Sequence, residues 1–374
     1  MRIGLGTLQD EFALSGEFQA FQGWAEALKA AGIEARLFSP RGEGLRGHPY
    51  LRVKAGEFVL RKALEQWNFM DRCEELAPQV DALHLFLPSP YFLWIGDRVK
   101  RRAGGTVLVT CLGEDPDLSH RQWLALCRRA PRFHAVRYAA RLLSPSSRFL
   151  CDRYIAGSEF VAGQLRRAGC PKDKLVVSLP RLPAEPEPDA RSRELALELS
   201  RRPTFLYVGH FLPNKGVDVL LRAFARLSAP EAGLMLVWSG LGDLPAVRRE
   251  LRALRLAERV RVVEHPVHLS TLFARARALV LPFTASFGQV SPPIVLLEAL
   301  RAGVPAILSR APAVAGLGAD GETFWLAAPG DARELQEKME AALREPEQGE
   351  RMRRAQRRLY GGLSAGQDLE RLYG

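Results

Sequence analysis

Lysine is scarce in this chain: eight of its 53 basic residues are lysines, and the rest are arginines. One of the eight, Lys215, closes the segment Gly209-His210-Phe211-Leu212-Pro213-Asn214-Lys215-Gly216. An apolar run ends at Gly209 and an amphipathic stretch starts after Gly216, so the segment reads as a strand, a polar loop and a helix start. A lysine at that address can meet an anion that also receives the amino end of the helix. One charge-assisted bond of this kind contributes about 1.5–3 kcal/mol. The spacing is not that of a Walker loop, and the plainer alternative is a solvated loop lysine.

Two further places repeat the strand-into-helix pattern. Ser239-Gly240-Leu241-Gly242-Asp243 carries two glycines that permit close approach of backbone to a nucleotide; as an ordinary turn it would carry no chemistry. Phe287-Gly288-Gln289-Val290-Ser291-Pro292-Pro293 precedes the largely apolar segment Ile294–Leu300. Ser291 reads as an N-cap with Pro292 in the first turn, which leaves a bare helix N-terminus as another anion site. Glu298 lies within that segment. A buried carboxylate requires donors, and the vicinal hydroxyls of a ribose supply two. The alternative is a surface pair with Arg301 at i+3, worth a few tenths of a kcal/mol.

These residues need strands ending next to helix starts, and the chain supplies them. In the first half, strands are expected at Arg2–Gly6, Glu34–Phe38, Ala82–Leu87, Thr106–Cys111, Arg153–Ala156 and Lys174–Leu179, with helices at Glu17–Ala31, Tyr91–Arg102, Arg121–Arg129 and Glu159–Ala168. In the second half, strands are expected at Thr204–Gly209, Gly233–Ser239, Val260–Glu264, Ala278–Phe283, Pro305–Ser309 and Thr323–Ala327. Val217, Leu220, Leu221, Phe224 and Leu227 fall on one helical face. Such alternation predicts an α/β fold of two doubly wound Rossmann-like domains. In these sheets ligands sit at the carboxyl ends of the strands. The expected domains are 1–182 and 203–349, joined by a proline-rich linker at 183–202 that contains a helix-capable piece, Ala190–Ser200. A helical tail at 350–374 completes the chain.

At 374 residues with 47% hydrophobic content the chain is long enough for two cored domains. No apolar run approaches the ~18–20 residues of a membrane span. The opening Met1–Gly6 reads as a first strand rather than a signal peptide. Cys73, Cys111, Cys127, Cys151 and Cys170 show no ligand spacing, which points to reduced thiols and to neither a disulfide framework nor zinc. The cytoplasm is the expected compartment, with peripheral contact to the inner face of the membrane as an extension. The net charge is +11, and between Arg98 and Arg153 twelve basic residues face four acids. That sector suits anionic lipid or a phosphorylated acceptor. No zinc-finger, RRM, KH or basic-zipper pattern supports nucleic acid.

Taken in order, the three loops resemble those of retaining family 4 glycosyltransferases of GT-B fold. Tyr207–Phe224 resembles the strand-loop-helix that carries the diphosphate lysine, and Val280–Leu308 the stretch that ends in the nucleotide-ribose glutamate. Ser15 and Gly16 resemble the glycine loop after the first strand, on the acceptor side. The resemblance implies two domains facing across a cleft, with the C-terminal helix crossing back onto the first. It implies a metal-independent sugar transferase without a cofactor, taking a UDP- or GDP-sugar as donor. Acceptors lipid-linked or anionic, and a place in cell-envelope polysaccharide or glycolipid synthesis, are its extension. On this reading Lys215 neutralises the leaving diphosphate, Gly209, His210, Gly240, Gly242, Gly288, Gln289, Val290, Ser291 and Glu298 line the donor site, and Asp115 and Glu114 orient the acceptor hydroxyl. A protonated His210 would add to the phosphate charge. Three positions depart from the family pattern: His210 stands where an arginine is usual, Val290 where the first of two glutamates is usual, and Leu112 where a histidine is usual. Those departures keep open a nucleotide-sugar-binding partner subunit without catalysis, or another GT-B enzyme such as a phosphorylase or epimerase.

Overall fold

The structure, a computed structural model, describes residues 1–8, 16–40, 42–43, 55–87, 89–112, 119–129, 138, 142, 146–185, 187–284, 291–365 and 369–373. By its contacts the chain forms two units, Met1–Pro183 with Gln367–Gly374, and Ala184–Gly366.

The first unit holds strands β1 (Arg2–Thr7), β2 (Glu34–Ser39), β3 (Gly42–Glu43), β4 (Ala82–Leu87), β5 (Thr106–Cys111), β6 (Arg153–Ala156) and β7 (Leu175–Val177). Their order in the sheet is β3-β2-β1-β4-β5-β6-β7. All pairings are parallel except that of the two-residue β3 with β2. Helices α1 (Gly16–Ala30), α2 (Ala55–Leu76), α3 (Leu93–Ala103), α4 (His120–Arg129) and α5 (Glu159–Arg167) connect them. Every residue of β4 is buried, as a central parallel strand covered on both faces requires. Phe21, Trp24 and Leu28 of α1 bury one helical face against Ile3, Leu5, Phe86 and Ile155, each large side chain contributing about 1.5–3 kcal/mol.

The second unit holds α6 (Ala190–Ser200), β8 (Thr204–Phe211), α7 (Val217–Ala225), β9 (Gly233–Gly242), α8 (Leu244–Ala253), β10 (Val260–Val263), α9 (Leu269–Phe273), β11 (Ala278–Leu281), α10 (Ile294–Ala302), β12 (Ala306–Ser309), β13 (Trp325–Ala327), α11 (Ala332–Arg344) and α12 (Pro346–Ala365). Its six strands are all parallel, in the order β10-β9-β8-β11-β12-β13. The stripe expected on α7 is real: Val217, Leu220, Leu221, Phe224 and Leu227 are all buried in the core with Phe205, Tyr207, Leu236 and Val280. In this order β8 and β11 are neighbours although α7, β9, α8, β10 and α9 lie between them in the chain, so their carboxyl ends flank the point where the winding reverses.

Residues 184–202 do not form a free connector. The Asp189 side chain accepts from the Ser192 amide at 2.6 Å and starts α6, while the Ser192 hydroxyl accepts from the His268 amide at 2.8 Å. The tail also divides. On α12, Met352 and Gln356 are buried within the second unit, and the Arg353 and Arg357 guanidiniums donate to the carbonyls of Gly303, Ala276 and Ala302. Only α13 (Glu370–Tyr373) belongs to the first unit, where Leu372 joins the core and the Tyr373 hydroxyl lies 2.5 Å from His84 Nδ1. The 22-residue α2 is not among the helices expected from the sequence, although Phe69, Met70, Cys73 and Leu76 mark a buried helical face.

Candidate functional site

The winding reversal of the second unit gathers the residues that sequence reasoning singled out first. Strand β8 runs past Gly209 to Phe211, with a register shift between Gly209 and Phe211 and the Tyr207 hydroxyl donating to the His210 carbonyl at 2.6 Å. Pro213–Lys215 forms one tight turn, closed by Lys215 N donating to the Leu212 carbonyl at 2.9 Å. Gly216 follows at φ 69°, a left-handed conformation, and becomes the N-cap of α7 without any side-chain cap. Glycine is required twice over, because a Cβ there would lie 1.8 Å from the Pro282 carbonyl oxygen.

The chain leaving β11 is tied to this turn. Thr284 donates through its amide to the Asn214 carbonyl at 3.1 Å and through its hydroxyl to the Pro213 carbonyl at 2.8 Å. The Lys215 ammonium stands 5.4 Å from the centroid of the buried Phe283 ring, and the residue directly precedes Gly216, the N-cap of α7. An ammonium next to amides without a side-chain cap is an anion site of the kind a phosphate occupies.

His210 shares this end of the sheet, with Nδ1 2.6 Å from the Ser239 hydroxyl. Burial, aided by the Lys215 charge, lowers its pKa to about 4. The protonated His210 expected from sequence is therefore corrected: at neutral pH its imidazole is uncharged and offers hydrogen bonds only. The glycines at 240 and 242 lie within the end of β9, at φ 88° and 106°. Gly242 pairs with Phe211, and a Cβ on it would meet the Phe211 carbonyl oxygen at 2.2 Å, whereas Gly240 faces open space. The cap of α8 is Asp243, which accepts from the Ala246 amide at 2.8 Å.

Helix α10 starts at Ile294 with Pro293 as its N-cap and no side-chain cap. This corrects Ser291 as the cap: with Pro292 and Pro293 both following it, the first helical residue moves two positions on. Glu298 is partly buried on this helix. Burial raises its pKa to about 7; Arg301 offsets part of the rise and Glu185 adds to it. The surface pair with Arg301 does not form. Arg301 instead donates to Glu185 at 2.6 Å, a partner no local sequence pattern could announce because 116 positions separate the two.

Ser15, Glu114, Asp115, Gly288, Gln289 and Val290 lie outside the described residues, and Gly16 is the exposed first residue of α1. Of the segment expected to carry acceptor chemistry, Thr110 is buried with its hydroxyl 2.6 Å from His84 Nε2. The basic sector is partly consumed by internal pairs, Lys100 with Asp152 at 2.7 Å and Arg102 with Glu74 at 2.8 Å. No described helix is long and apolar enough to cross a membrane.

Comparison with known proteins agrees with this architecture. Residues 21–178 match the family described as Glycosyltransferase Family 4, and residues 191–359 match Glycosyl transferases group 1. D-inositol 3-phosphate glycosyltransferase 2 of Catenulispora acidiphila is 36% identical over 143 residues, 34% of this chain, so the match spans about a third (32%) of that relative's length. Sucrose-phosphate synthase from Thermosynechococcus elongatus superposes over 100% of this chain and 99% of its own with a TM-score of 0.73 at 19% identity. Anabaena HepE in complex with UDP-glucose does so over 97% and 95%, with a TM-score of 0.69 at 15% identity. The chain thus carries the two domains of a GT-B glycosyltransferase, a Family 4 domain followed by a group 1 domain.

Proposed function

We propose that the protein transfers a sugar from a nucleoside-diphosphate sugar to an acceptor hydroxyl, with retention of anomeric configuration and without a metal ion. The observation that carries this reading is the placement of Lys215 beside the uncapped start of α7 at the winding reversal of the second unit. Negative charge develops on the diphosphate as the sugar departs, so a cation and helix amides held there act where stabilisation accelerates the reaction. Glu298 accepts the ribose hydroxyls, and neutral His210 contributes a hydrogen bond. Acceptor recognition falls to the first unit, with Asp115 and Glu114 as the orienting carboxylates. The UDP-glucose held by HepE favours a uridine nucleotide, with a GDP-sugar as the other choice. A lipid-linked or anionic acceptor, cytoplasmic placement at the membrane surface and a role in envelope glycans extend the same reading.

The departures at His210, Val290 and Leu112 support a second reading, a nucleotide-sugar-binding subunit without catalysis. One experiment separates them. The purified protein is screened for thermal stabilisation by nucleoside diphosphates and nucleotide sugars, and the donor that stabilises it is then followed for hydrolysis or transfer with and without EDTA. Turnover unaffected by EDTA supports the transferase; stabilisation without any turnover supports the binding subunit; a loss restored by Mg²⁺ removes the metal-free mechanism.

A further inference from the structure

Glu185 is the second residue of the second unit, which begins at Ala184. Its carboxylate accepts from the Ser270 hydroxyl of α9 and from the Arg301 guanidinium at 2.6 Å. Arg301 stands one turn beyond Glu298 on α10, at the i+3 spacing where an arginine ordinarily closes onto a glutamate. Here it is turned to Glu185, and no described residue donates a hydrogen bond to the Glu298 carboxyl. The geometry points to Glu185 as a positioning residue: by holding Arg301, it keeps the Glu298 carboxyl open to a ligand bearing hydroxyl groups. This rests on the proposed function only for the identity of that ligand as the donor ribose.

Electrostatics agree with the geometry. Burial alone would raise the pKa of Glu185, but the Ser270 hydroxyl and Arg301 outweigh it and hold the group below its ordinary value, so it is ionised. Glu298, without such donors, is pushed the other way, chiefly by burial and further by the Glu185 charge. Among the described residues, the other elements packed on α10 offer no substitute partner. Helix α9 carries no titratable side chain, His268 acts on Glu185, and Arg353 and Arg357 of α12 bind carbonyls at the carboxyl end of α10. Arg301 is the described cation on the same helix, and Glu185 accepts its guanidinium.

The test is a carboxyl titration. Protein labelled with ¹³C at glutamate side-chain carboxyls is followed by NMR across pH 4–9, with Glu298→Gln identifying the Glu298 signal by its disappearance. In Glu185→Ala the Glu298 midpoint falls by about one pH unit or more, because a like charge is lost and Arg301 is released onto it. Glu185→Asp restores part of the wild-type midpoint. Arg301→Leu moves the midpoint upward, and its combination with Glu185→Ala reverses most of the fall seen in the single variant. Thermal unfolding of each variant at pH 7 verifies that the fold is kept. A Glu298 midpoint that stays put in folded Glu185→Ala overturns the inference whatever the protein's activity. In parallel, UDP and GDP binding is measured: an affinity at least about tenfold weaker in Glu185→Ala, recovered in Glu185→Asp, ties the pair to the ribose. A shifted midpoint with unchanged nucleotide binding upholds the hold of Glu185 on Glu298 and sinks the ribose assignment instead.

Discussion

Among the described glycines of the candidate donor site, Gly216 makes the closest approach: a Cβ on it would sit 1.8 Å from the Pro282 carbonyl oxygen. Gly216→Ala must therefore push the chain after β11 away from the turn that carries Lys215, besides imposing a left-handed conformation on alanine. The strain alone costs about 1 kcal/mol and the clash several more, a fall of roughly 10 °C in melting temperature. Gly240→Ala is the control, because its φ of 88° also demands a positive-φ alanine, but with open space around the new atom. Equal melting temperatures for the two variants would remove the close approach as the cause.

Lys215→Ala tests the phosphate assignment. Lys215 is only partly buried and lies in the turn before α7, so the variant should fold and melt close to wild type. A nucleoside diphosphate at 100 times its dissociation constant stabilises by about 2.7 kcal/mol. Losing one charge-assisted contact weakens binding by about 1.5–3 kcal/mol, which removes most of that stabilisation at the same concentration. A thermal shift that survives undiminished would place the phosphates elsewhere.

Much of this site was legible before any coordinates. The stripe on α7, the strand ends and the glycine after Lys215 are local patterns, and each fixes a neighbour in the chain. What stayed hidden depends on partners far away in sequence. His210 reads as a phosphate ligand from its address alone, yet its charge state is decided by burial and by Lys215. Arg301 reads as the partner of Glu298, yet Glu185 claims it. Ser291 reads as an N-cap because the serine-proline pattern is local, whereas the second proline shifts the helix start. The tail was read as one helix, but Arg353 and Arg357 anchor α12 to carbonyls of the second unit before α13 turns to the first.

That last contact carries its own prediction. His84 is fully buried, with Nδ1 2.5 Å from the Tyr373 hydroxyl and Nε2 2.6 Å from the Thr110 hydroxyl. Burial, with Arg181 nearby, lowers its pKa to about 3, so the folded protein keeps it neutral while an unfolded histidine takes a proton near pH 6.5. The unfolded state then binds more protons between about pH 6.5 and 3, and stability falls across that window by up to about 1.4 kcal/mol per pH unit. Denaturant unfolding at stepped pH should show this slope in wild type and a flatter one in His84→Gln. Tyr373→Phe leaves Nδ1 without its hydroxyl partner and should cost about 1–3 kcal/mol at pH 7. If it costs nothing, the tail does not clamp the first unit through this bond.

Glu298 yields the prediction on which nucleotide recognition turns. With its pKa near 7 in the free protein against about 4.3 unfolded, the folded state holds the extra proton between those values. Its contribution to stability is therefore complete at low pH and is lost as pH rises through about 7. Glu298→Gln should flatten that loss, and above pH 8 it should be at least as stable as wild type. Ligand binding runs in the opposite sense, because the ionised carboxylate is the form that accepts two ribose hydroxyls. Affinity for a nucleotide sugar, whose diphosphate diester does not titrate in this range, should rise through pH 7 in wild type and be level in Glu298→Gln. At pH 8, Glu298→Ala should lose about 2–4 kcal/mol of binding and Glu298→Gln only part of it. The discriminating ligand is the 2′,3′-dideoxyribose form of the same nucleotide. It should bind wild type poorly and respond little to either substitution, since the partners of the carboxylate are already gone. Should both substitutions weaken the dideoxy ligand as much as the natural one, Glu298 acts through the packing of α10, and the ribose must find its acceptor on another residue.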